Sequence, residues 1–92
     1  MGCVPGIQIA HAGRKASTAP PFEGAHPLAA DDPEHWQTVA PSALPVADHF
    51  PAPLELSNDD IETLVATFAR AARRSIDAGF KVIEIHLSLI HI

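Results

Sequence analysis

The chain has 92 residues, including nine prolines and a single cysteine, with an apolar share of 47% and a formal net charge of −5. That length suits one small domain, which would bury only about two-thirds of its unfolded surface. The six basic residues are scattered along the chain, which argues against a nucleic-acid or acidic-membrane partner. Cys3 alone excludes an internal disulfide framework and fits a reducing compartment. No stretch reads as a signal peptide, and no apolar run approaches the ~20 residues that span a bilayer. A cytoplasmic location is therefore the expectation.

The first element is a strand over residues 6–11. Ile7 and Ile9 are β-branched and suit burial, and the run delivers Gln8, His11, Arg14 and Lys15 to its C-terminal end around Gly13. Parallel α/β folds build ligand sites beyond the carboxyl ends of such strands. The Gln8 amide offers a donor and an acceptor to the edge of a planar ring, or is satisfied by neighbouring backbone. His11 reads as a structural hydrogen-bonding residue. Arg14 and Lys15 meet a phosphate or a negatively charged ring, or form an ordinary solvated pair.

Residues 16–56 hold most of the prolines and no sustained periodicity. A stretch of this length without regular structure is either functional or a linker. The reading favoured is an ordered excursion covering a barrel mouth, pinned by Trp36 and Val39, with Ala40-Pro41-Ser42-Ala43 as an extended turn.

A helix follows. Ser57 is a good N-cap, and Asp60 three residues on resembles the acidic partner of a capping box. Acidic residues gather at the start and Arg70, Arg73 and Arg74 toward the end, complementing the helix dipole. Ile61, Leu64, Val65, Phe68, Ala72 and Ile76 form one apolar stripe expected to be buried. Gly79 supplies the left-handed stop.

Val82, Ile83, Ile85 and Leu87 then read as a strand buried on both faces of a parallel sheet. Strand, excursion, helix and strand make one βαβ unit with a right-handed crossover, which brings Gln8 and His11 near His86. His86 donates a hydrogen bond to a substrate oxygen, or is a satisfied core histidine. Glu84 shares a side of its strand with Val82 and His86, and there needs a partner, either a histidine to orient or an arginine. The six histidines lack the spacing of a His-Glu-x-x-His metal site. Ser42 has no matched base for nucleophilic chemistry.

Gly6-Ile7-Gln8-Ile9-Ala10-His11-Ala12-Gly13-Arg14-Lys15, Ala40-Pro41-Ser42-Ala43, Ala71-Ala72-Arg73-Arg74, Ala78-Gly79-Phe80 and Val82-Ile83-Glu84-Ile85-His86 occur in that order. Together they resemble the third to fourth strands of the old yellow enzyme family, in particular its bacterial NADPH dehydrogenase and xenobiotic reductase branch. The resemblance implies an α/β fold, here part of a TIM (β/α)8 barrel: one βαβ unit with a long Pro-rich excursion. It further implies a flavoprotein that carries FMN, takes hydride from NAD(P)H and reduces the C=C bond of a small-molecule α,β-unsaturated carbonyl substrate. By the match, Gln8 is the cofactor-binding residue at the flavin pyrimidine edge and His86 the catalytic contact to the substrate carbonyl. No metal is implied, and the resemblance admits a homo-oligomeric parent enzyme.

The chain also departs from the family. A second carbonyl ligand is expected three residues after His86, where Leu89 stands, and the chain has no tyrosine to act as proton donor. A complete barrel needs about 250 residues. Residues 1–87 are accordingly expected to be a fragment of an FMN-dependent barrel domain, inactive alone, with 88–92 a non-family tail from truncation or an assembly junction. Two rival readings are a non-catalytic βαβ docking module and a piece of another TIM-barrel oxidoreductase.

Overall fold

The computed structural model describes residues 2–87. The expected tail at 88–92, including the Leu89 position, lies outside the described residues. The chain divides into two compact units. One contains the described residues up to His11 and those from Asn58 onward, and the other is Ala12–Ser57.

The first unit is a βαβ motif. Strand β1 (Gly6–Ile9) pairs in parallel with β4 (Val82–Ile85), in the register Gly6↔Val82, Ile7↔Ile83, Gln8↔Glu84 and Ile9↔Ile85. Helix α1 (Asn58–Asp77) lies between them in sequence and packs on β1. Side chains alternate across a strand, so Ile7, Ile9, Ile83 and Ile85 share one face, and Gly6, Gln8, Val82 and Glu84 the other. Ile7, Ile9 and Ile83 are half-buried, whereas all four residues of the opposite face are exposed.

The helix ends as its sequence demands. Gly79 adopts φ +108°. Its N–H bonds Ile76 O at 3.0 Å, and the Phe80 N–H bonds Ser75 O at 3.0 Å, the paired bonds of a Schellman stop. Ser75 is buried inside the last turn, and its hydroxyl is satisfied by donating to Ala71 O at 2.7 Å.

Two burial expectations are corrected. The predicted stripe is only partly covered: Leu64, Phe68 and Ala72 are half-buried, but Ile61, Val65 and Ile76 are 43%, 64% and 61% exposed. The face that packs runs instead through Leu64, Phe68, Ala71 and Ser75. Nor is the second strand buried on both sides, since Val82 and Ile85 are each 54% exposed and Leu87 88%. The cause is common to both. Two strands span about 5 Å, and a helix about 10 Å wide cannot bury its whole apolar arc on so narrow a sheet.

The second unit is built from turns. Short strands β2 (Val39–Ala40) and β3 (Leu54–Glu55) pair in parallel, extended by Leu54 N–H to Thr38 O and Leu56 N–H to Ala40 O, both 2.9 Å. A second closure bonds Ala19 N–H to His26 O at 2.8 Å and Leu28 N–H to Ser17 O at 2.9 Å. Ser17 holds φ 59° while its Oγ accepts the Trp36 backbone N–H at 3.1 Å. Small residues fill the interior: Ser17, Ala19, Thr38, Ala40 and Pro53 are buried. Trp36, expected as the pin, is instead 54% exposed. Its backbone, and not its ring, makes the tie to Ser17.

Candidate functional site

The open face of β1 and β4 gathers three of the polar groups read from the sequence, Gln8, Glu84 and His86. The strands GIQI and VIEI carry the same apolar–polar–apolar pattern. In-register parallel pairing therefore sets Gln8 directly across from Glu84. Gln8 Nε2 donates to Glu84 Oε1 at 2.5 Å. This answers the expectation that Glu84 meets a histidine or an arginine: its partner is Gln8. A buried carboxylate would demand compensation, but this one is exposed and hydrogen-bonded to an uncharged amide.

His86 follows the last residue of β4, and the ladder runs through it, because His86 N–H donates to Ile9 O at 2.9 Å. The alternation puts position 86 on the same face as Glu84 and Gln8. It lies one step further toward the strands' C-terminal ends, about 8 Å from Gln8 along the diagonal by strand spacing. His86 is half-buried, and His11, beyond the end of β1, is exposed. The amide and the imidazole are thus neighbours on one surface, flanked by a carboxylate.

Arg14 belongs to neither alternative read from the sequence. It is half-buried within the second unit, where its Nη1 donates to Leu44 O and its Nη2 to Ser42 Oγ at 3.1 Å. The guanidinium thereby clamps the turn after β2, which also explains why Ser42 is a structural hydroxyl. Lys15 is exposed. Cys3 is a free, exposed thiol. Among the described residues no three His, Cys, Asp or Glu side chains converge as metal ligands, and no helix is long and apolar enough to cross a membrane.

Sequence reasoning missed two features: the Gln8–Glu84 pair and the Arg14 clamp. The first had a signal in the matching strand patterns. The second had none, because a side chain reaching a carbonyl thirty residues away leaves no periodic trace.

A parallel strand pair with a helix connecting it is an α/β arrangement, and proteins of this class place their ligand sites beyond the C-terminal ends of the strands. The family profile of NADH:flavin oxidoreductases / NADH oxidases matches residues 1–89. The chain is 46% identical over 84 residues to an NADH:flavin oxidoreductase of Gibberella zeae, an alignment covering 88% of this chain and 20% of that protein. It is 42% identical over 93 residues to an NADPH dehydrogenase of Listeria monocytogenes, covering 98% of this chain and 23% of the relative. An NADPH dehydrogenase of Geobacillus thermodenitrificans is 40% identical over 85 residues, covering 92% and 20%. The chain belongs to the NADH:flavin oxidoreductase / NADH oxidase family, the old yellow enzyme family of the resemblance above. It spans about a fifth of the length of these curated relatives.

Proposed function

We propose that this chain supplies the third and fourth strands of a TIM-barrel, FMN-dependent NAD(P)H oxidoreductase that reduces the C=C bond of α,β-unsaturated carbonyl compounds. The observation that carries the reading is the shared face of Gln8 and His86 at the C-terminal end of a parallel strand pair. Barrel enzymes place their chemistry at that end. A cytoplasmic setting belongs to the same reading and rests on the lone exposed thiol of Cys3.

The residues present fit a flavin. After donating one N–H to Glu84, the Gln8 amide retains Oε1 and its second N–H, which match a ring edge carrying a donor beside an acceptor. FMN, when bound, supplies the redox chemistry, and the protein's part is to position and polarise. Gln8 orients the ring edge. His86 donates to the substrate carbonyl oxygen and stabilises the negative charge that grows there during reduction, as an oxyanion hole does.

Alone, the chain is expected to be inactive. Desalting it with FMN and assaying cyclohexenone reduction checks this, and stoichiometric bound flavin with turnover would overturn it. The larger claim is tested by replacing the matching segment of the Geobacillus thermodenitrificans NADPH dehydrogenase with residues 4–87. The chimera should retain FMN and oxidise NADPH with cyclohexenone. His86→Ala should then lower kcat about 100-fold, the scale of one lost oxyanion donor. Unchanged turnover in that variant would sink the assignment of His86.

A further inference from the structure

We propose that Glu84 is a positioning residue that fixes which edge of the Gln8 amide faces a ligand. The inference rests on the functional reading above, and it adds to that reading a residue whose place in the site has been unassigned. A primary amide has two orientations related by a half-turn about its last torsion. They are nearly equal in shape and opposite in hydrogen-bonding sense. An isolated strand glutamine populates both. Across from a neutral group that can donate or accept, it continues to do so.

Glu84 removes that freedom. An ionised carboxylate accepts hydrogen bonds and donates none. The Gln8 end that faces it must therefore be Nε2, as found at 2.5 Å. The two residues are register partners on adjacent strands, so backbone pairing sets their separation and no long flexible side chain must be recruited. Both lie on the exposed face, away from the half-buried isoleucines. With Nε2 committed, Oε1 and one N–H of the same amide remain available. That arrangement selects a ring edge with an imide-type N–H next to a carbonyl, and it disfavours an edge of two acceptors.

The test uses the whole 92-residue chain, labelled with 15N at glutamine side chains, with FMN as the probe. The Gln8 amide signal should be displaced from the free-glutamine position in the unaltered chain and return to it in Glu84→Ala, while β1 and β4 backbone signals stay in place. FMN should shift the Gln8 signal, with about tenfold weaker affinity in Glu84→Ala, the scale of one lost oriented hydrogen bond. The deciding variant is Glu84→Gln, which keeps a cross-strand hydrogen bond but, able to donate or accept, no longer fixes which end of the Gln8 amide faces it. It should leave strand pairing in place and lose FMN affinity as Glu84→Ala does. A purely structural role predicts that Glu84→Gln keeps the affinity of the unaltered chain, and that result would overturn the proposal. So would a Gln8 signal at the free position in the unaltered chain, or one indifferent to Glu84→Ala. If the signal behaves as expected but FMN moves nothing, the hold of Glu84 on the amide stands and the flavin assignment falls.

Discussion

The βαβ unit contains a twenty-residue helix and two four-residue strands, yet its apolar side chains remain largely in solvent, Val65 and Ile76 above 60% exposed. The segment Ala12–Ser57 has only two-residue strands and 3-10 turns, yet it holds Ser17, Ala19, Thr38, Ala40 and Pro53 out of water. Regular backbone and burial are thus separable. Backbone hydrogen bonds build the helix and pair the strands, but their apolar faces need a third layer or further strands to cover them. Turns held by prolines and small residues close on themselves, since proline has a restricted φ and no N–H to satisfy.

The sharpest way to break this contrast is to overfill the second unit. Ala40 is 1% exposed and sits in the small-residue interior with Pro53. Ala40→Leu should destabilise that unit by about 3 kcal/mol. The effect would be read as accelerated exchange of the Leu54 and Leu56 amides, which bond Thr38 O just before β2 and Ala40 O at its end. Normal protection there would show that the interior is loosely packed.

Arg14→Ala should cost about 2 kcal/mol, because a charged donor leaves the Leu44 carbonyl and the Ser42 hydroxyl. Arg14→Lys should recover little, since one ammonium cannot reproduce the two-armed fork. Limited proteolysis across residues 41–46 provides the measurement. In the βαβ unit, Val82→Thr should change stability by about 0.5 kcal/mol or less, because Val82 is 54% exposed. A larger loss on chemical denaturation would mean the open face is covered in solution. Changing an exposed strand residue of the βαβ unit would thus matter less than enlarging a small buried residue of the second unit.

Much of the βαβ unit was legible in advance. The helix signals agree from the N-cap at Ser57 to the stop at Gly79, because capping and periodicity act over a few residues. The parallel pairing of the two isoleucine-rich runs followed from the intervening helix. The position of His86 beside the end of β1 followed in turn. The extent of burial was not legible. Periodicity identifies an apolar face but is silent on whether a neighbour exists to cover it, so Ile61, Val65 and Ile76 read as core and are exposed. The role of Arg14 was hidden for another reason: its partners are a backbone carbonyl and a hydroxyl far along the chain, and neither leaves a pattern.

The sequence by itself determined the helix, the two strands of the βαβ unit, their order and the family, because each is encoded in short-range pattern and in runs of matched residues. The first strand, however, is Gly6–Ile9, and the short strands β2 and β3 were not read in advance. Only the tertiary structure decided that Gln8 meets Glu84, that Arg14 closes a turn, and that the unit richest in helix and strand is the one left bare. Those outcomes depend on strand register and on which surfaces find a partner. Both are set by contacts between residues distant in the chain, which no local pattern records.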